Sequence, residues 1–140
     1  MRKSLFVIST AFAVVWGAAS ASEVPPFNFN GQWRVDSIVG YSAVSASQDG
    51  VDPLIGQRID ISNSGLKIAA NQCKAESMQA ALRDTEPLLL SEYRARRQDV
   101  GLPAKTLTLS AQPCGYVFRS GQDIVFSQDG AFYRASRVTN

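Results

Sequence analysis

Two cysteines, Cys73 and Cys114, are the only thiols in the chain, and there is no histidine. Without histidine the usual nucleophile–histidine triads, histidine metal sites and a histidine pH switch are all excluded. An even pair of cysteines in an oxidising compartment is most simply a disulfide. That bond would close a loop of about 40 residues and stabilise the fold by roughly 4 kcal/mol in the chain-entropy model. Free or metal-binding thiols are the competing reading, and a lone cysteine pair without histidine makes a poor zinc site.

The remaining candidates are arginines and one tryptophan. Arg94, Arg96 and Arg97 form the densest basic cluster and suit an acidic partner or a phosphate. At a helix end the same residues would simply favour the macrodipole and solubility, and Glu92 and Asp99 dilute the patch. Arg134 and Arg137 lie three apart, so on an ideal strand they face opposite sides. One of them could stack on Trp33 as a cation–π pair worth roughly 0.5–2 kcal/mol; an anion-binding role is the alternative. Trp33 reads as a core or barrel-floor residue, or as the lining of a ligand pocket, with an indole N–H that needs a partner.

The carboxylates Asp36, Asp49, Asp52, Asp60, Asp123 and Asp129 offer no pair that can be placed across a cleft. Asp49 and Asp52 around Gly50 fall short of a calcium-loop ligand set. No G-x-S-x-G, P-loop or dinucleotide fingerprint occurs. The expectation is therefore a protein that is not an enzyme, with no catalytic residue, metal or cofactor.

These side chains must be positioned by a small domain. Arg2 and Lys3, the apolar run Leu5 to Trp16 and the Ala19-Ser20-Ala21 site read as a secretory signal peptide over residues 1–21, cleaved before Ser22. The apolar run is too short to span a membrane. Arg2 and Lys3 carry the formal charge of +2, so residues 22–140 are neutral and have no electrostatic footprint for nucleic acid or an anionic membrane. The expected location is the periplasm or the extracellular medium.

Residues 22–30 read as an extended lead-in, mobile or laid along the body, and residues 31–140 as one β-rich domain. A first strand is expected over Trp33 to Tyr41, followed by a long loop over Ser42 to Pro53. Ile59 and Ile61 alternate against Arg58 and Asp60, Asn63-Ser64-Gly65 turns, and Leu66 to Ala69 resumes the alternation as a hairpin. Lys74 to Arg83 is expected to be helical, with Met78 and Leu82 four apart. A second helix is expected to start near Thr85 as N-cap, with Pro87 in its first turn. Leu89 and Tyr93 share its face, a Glu92–Arg96 pair lies outside, the arginines fall in the last turns, and Gly101 and Pro103 end it. Strands follow over Lys105 to Ala111, Gly115 to Arg119, Asp123 to Gln128 and Ala131 to Val138. Asp129-Gly130 is the strongest hairpin signal in the chain. The fold class is α+β: an antiparallel meander of about seven strands forming a curved sheet or small barrel, with a helical insert mid-chain.

Gly31-x-Trp33, the antiparallel meander behind it and a late arginine resemble the lipocalin/calycin superfamily. The resemblance implies a lipocalin-like barrel in which Trp33 closes the base under Arg137 or Arg134. The chain departs from that pattern in carrying its helices mid-chain. It is also similar to small exported bacterial proteins with a G-x-W start, a mid-chain Cys, a second Cys before the last hairpin and a closing D-G-x-F-Y-R strand, here Asp129 to Arg134.

Two functions follow as expectations. Tyr93, Tyr116, Phe118, Phe126, Phe132 and Tyr133, with Ile59, Ile61, Leu66, Ile68, Leu107 and Leu109, make either a filled core or the lining of a hollow barrel; in the first function the barrel is hollow and carries an apolar or amphipathic small molecule. In the second, a disulfide-stapled module binds an envelope or extracellular protein, as an accessory subunit or an enzyme inhibitor, with the loop Ser42 to Pro53 as its contact surface.

Overall fold

The computed structural model describes residues 27–43 and 54–139, together with Ala13. Apart from Ala13, the expected signal peptide lies outside the described residues, as do residues 22–26 of the lead-in and 44–53 of the long loop.

Nine strands form one sheet: β1 (Gly31–Tyr41), β2 (Arg58–Ser62), β3 (Gly65–Ile68), β4 (Asn71–Lys74), β5 (Ser77–Asp84), β6 (Lys105–Gln112), β7 (Gly115–Ser120), β8 (Asp123–Gln128) and β9 (Ala131–Arg137). Two short helices, α1 (Thr85–Tyr93) and α2 (Arg97–Val100), sit between β5 and β6. The strand order is β4-β3-β2-β1-β9-β8-β7-β6-β5, and every pairing is antiparallel. Each strand therefore pairs with its neighbours in sequence, and β9 returns to β1. Only β4 and β5, joined by Ala75 and Glu76, do not pair. The result is a curled half-barrel whose two edges start from the same link and diverge.

Alternation decides which side chains go where. On the inner face lie Trp33, Val35, Ile59, Ile61, Leu109, Val117, Ile124, Phe126, Tyr133 and Ala135, all buried. On the outer face Phe118, Val125 and Phe132 form a second cluster, covered by Leu89, Ala95, Val100 and Leu102 from the helical segment. The helices thus pack against one side of the sheet. Gly40 lets α2 approach β1 closely, since a Cβ there would run into the Asp99 carbonyl oxygen. Asp129 and Gly130 have φ of 52° and 81°, both left-handed as a type I′ hairpin turn requires.

The mid-chain reading needs correction. Lys74 to Arg83 is not a helix: Lys74 ends β4, and Ser77 to Asp84 is β5, paired over its whole length with β6. Helix propensity is a weak prior, and an eight-residue register outweighs it. β5 takes the place of the expected helix and β4 forms just before it, so the sheet has nine strands rather than seven. Helix α1 does begin where expected, with Pro87 in its first turn, but Asp84 is its N-cap residue. Thr85 lies inside the helix, where its hydroxyl hydrogen-bonds that of Thr106 at 2.6 Å.

The arginines are not in the last turn of α1, which contains no basic residue. The helix stops at Tyr93, and Arg94 caps it in a left-handed conformation. Arg96 precedes α2 and Arg97 opens it. The Glu92–Arg96 pair does not form.

Candidate functional site

The G-x-W segment sits at one end of the inner face. Trp33 is fully buried, and its indole N–H donates to the Phe29 carbonyl at 2.9 Å. The Arg137 guanidinium lies over the Trp33 ring, with Cζ 4.2 Å from the ring centroid. Its Nη1 donates to the Asn30 carbonyl at 2.9 Å and its Nη2 to the Asn28 carbonyl. One side chain therefore stacks on the tryptophan and ties the lead-in down. Phe27 and Phe29 are drawn in with it: their ring centroids are 4.9 Å apart, and Arg119 stacks over Phe27 at 4.6 Å. Described from Phe27 onward, the lead-in is laid along the body.

Arg134 faces the other way, as its spacing from Arg137 requires. Its Nη1 is 3.5 Å from Asp123 Oδ2, and its Nη2 donates to Ser120 at 3.2 Å. Of the three expected site residues, the structure brings Trp33 and Arg137 together and leaves Arg134 on the opposite face. Around Trp33 the inner face is filled by Phe29, Ile124, Phe126 and Tyr133.

The basic cluster is divided. Arg94 borders a cleft of about 460 Å³ between the end of α1 and the β8–β9 turn, with Ser42, Ser91, Glu92, Ser127 and Asp129. The backbone fixes this cleft, since Ala43 N–H donates to the Arg94 carbonyl and Ser42 N–H to that of Gly130. Arg96 and Arg97 do not line it; Arg97 N–H donates instead to Glu86 Oε2 at 2.8 Å. Tyr93 also lines the cleft. Its hydroxyl accepts from Tyr116 N–H at 3.0 Å, and burial pushes its pKa up to about 12. A tyrosine so held is a packing element against Phe132 rather than a proton donor.

Cys73 in β4 and Cys114 in the β6–β7 turn form a disulfide, with Cα atoms 5.9 Å apart. It ties one edge strand of the half-barrel to the far side of the opening. The other edge, β5, is eight residues long and has no partner strand on its outer side among the described residues. Met78, Ala80 and Leu82 are in register with Ala111, Leu109 and Leu107 of β6, so the inner apolar row continues onto β5. There it ends in solvent, with Leu82 67% exposed. The helical reading of Lys74 to Arg83 concealed this edge. The signal that could have revealed it is the uncharged run Ser77 to Leu82, in which Met78, Ala80 and Leu82 also fit a two-residue period.

Among the described residues, no three acidic or cysteine side chains converge as a metal site, and no helix is long and apolar enough to cross a membrane. No protein-family model, curated protein or solved structure matches this chain.

Proposed function

We propose that this protein is an exported, disulfide-stapled interaction module whose envelope or extracellular partner adds an extended segment to the open edge of β5. The carrying observation is the asymmetry between the two edges. An unpaired edge strand is a template for another chain, and proteins usually shorten, charge or cover such edges. β4 is only four residues long and is pinned by Cys73. β5 is protected far less: it is eight residues long, carries charge only at its last two residues, Arg83 and Asp84, is uncharged from Ser77 to Leu82, and holds Leu82 out to solvent. A segment with apolar side chains at alternate positions would pair its backbone with β5 and extend the inner apolar row beyond Leu82, which is the strand-addition mode of recognition.

The small-molecule carrier is less well supported. Of the six aromatic residues expected to line a hollow barrel, only Phe126 and Tyr133 lie on the inner face, while Tyr93, Tyr116, Phe118 and Phe132 belong to the outer cluster; the inner face is filled by Trp33, Ile124, Phe126 and Tyr133, with Phe27 and Phe29 over it. A ligand would have to displace those two rings.

The test is retention of a partner from envelope extract by tagged protein, followed by binding of the partner's own synthetic segment. Leu82→Asp places a charge on the edge at an exposed position, where stability should change by only about 0.5 kcal/mol. The variant should keep the wild-type melting temperature and lose the segment. Equal binding by Leu82→Asp would remove β5 from the account. A bound small molecule in a native mass spectrum, in place of a protein, would restore the carrier.

A further inference from the structure

Arg34 of β1 lies directly opposite Arg58 of β2 and, on its other side, opposite Ser136 of β9. Register partners share a face, so Arg58, Arg34 and Ser136 form one row across three strands. That row faces away from the neighbouring buried pair Trp33 and Ile59. Like charges directly opposite each other destabilise a sheet. One carboxylate, Asp36, borders the same depression, but among the described residues it forms no ion pair with either guanidinium. Neither guanidinium takes part in an ion pair, the one among the described residues being Arg134 with Asp123. Arg58 has only a long 3.4 Å hydrogen bond to the Gln32 side chain.

The row borders a depression of about 510 Å³ that is also lined by Asp36, Arg137 and Thr139, so three guanidiniums meet one carboxylate there. Arg137 is already committed to Trp33 and to the carbonyls of Asn28 and Asn30, which leaves Arg34 and Arg58 as the free donors.

We infer that this depression binds an oxyanion of the phosphate class, held between Arg34 and Arg58 with the Ser136 hydroxyl as a third donor. Each guanidinium presents a planar fork of N–H groups that matches two oxygens. A carboxylate has two oxygens and satisfies one fork; a phosphate group has enough for both forks and the hydroxyl. The neutral composition of residues 22–140 provides no extended basic track, so a single phosphate group fits better than a nucleic-acid backbone. The site lies on β1, β2 and β9 and does not depend on what β5 binds.

The experiment is a titration of the full chain with inorganic phosphate against chloride at constant ionic strength, read by backbone amide chemical shifts. The expected result is a saturable shift centred on Arg34, Arg58 and Ser136. Arg34→Gln and Arg58→Gln should each weaken the affinity about tenfold or more. Arg34→Lys, which keeps the charge but not the fork, should weaken it too. Arg96→Gln, which removes the same charge at an exposed position off the row, should leave it unchanged. Both arginines are exposed, and melting curves of each variant establish that it is folded. A shift that does not saturate, or the same affinity in Arg34→Gln and Arg58→Gln as in the wild type, would overturn the inference.

Discussion

Replacing both cysteines, Cys73→Ser with Cys114→Ser, removes the cross-link without leaving a lone thiol. The two residues are 41 apart in sequence. For a loop of that size the chain-entropy model gives about 13 cal/mol/K of lost denatured-state entropy, or about 4 kcal/mol at 25 °C. A domain of roughly 110 residues unfolds with an entropy of about 230 cal/mol/K near its midpoint, so the melting temperature should fall by about 17 °C. The location matters as well as the loop length. β4 is the end strand of the sheet, pairs only with β3, and has no buried residue of its own. Its attachment across the opening rests largely on the covalent bond. The assay is scanning calorimetry of the oxidised protein and the double variant, with amide exchange to locate the loosening. The variant should melt lower, and the amides of β3 and β4 should lose protection first. A shift below about 3 °C, or protection lost equally across the whole sheet, would refute the reasoning.

Arg137→Ala should release the lead-in, because one side chain supplies both the stack on Trp33 and the donors to the carbonyls of Asn28 and Asn30. The stack alone is worth about 0.5–2 kcal/mol. With residues 1–21 removed, Trp33 is the only tryptophan, so its emission should shift to the red; an unchanged spectrum would contradict the role assigned to Arg137. Tyr93, raised by burial from its ordinary 10.0 to about 12, holds its proton more tightly folded than unfolded. The stability this contributes is fully present below pH 10 and is lost as the pH rises toward 12. Tyr93→Phe should flatten that loss in alkaline melting curves, and should itself destabilise by about 1–3 kcal/mol because the Tyr116 N–H is left without its acceptor.

Much of the fold was legible in the sequence where a single physical signal dominated. Ile59 and Ile61 alternate with polar residues and are buried on the inner face. Asp129-Gly130 forces a tight hairpin and makes one. The opposite directions of Arg134 and Arg137 follow from strand geometry alone. The segment Lys74 to Arg83 reads as a helix because good helix formers fill it and Met78 and Leu82 satisfy a four-residue spacing. What selects the strand is the pairing of Ser77 to Asp84 with Lys105 to Gln112, a contact across sequence that local propensity does not encode. The arginines were misplaced for a related reason. Gly101 does end a helix, but Arg94 takes a left-handed conformation first and splits the expected helix in two. The row of Arg58, Arg34 and Ser136 could not be read at all without knowing that β1 lies between β2 and β9.

Amide hydrogen exchange across β5, measured for the protein alone and with its captured partner segment bound, tests the strand-acceptor account most directly. The account predicts that amides of Ser77 to Asp84 facing the opening exchange quickly in the free protein and become protected in the complex. Unchanged exchange along β5 with the segment bound, and new protection elsewhere on the surface, would contradict it.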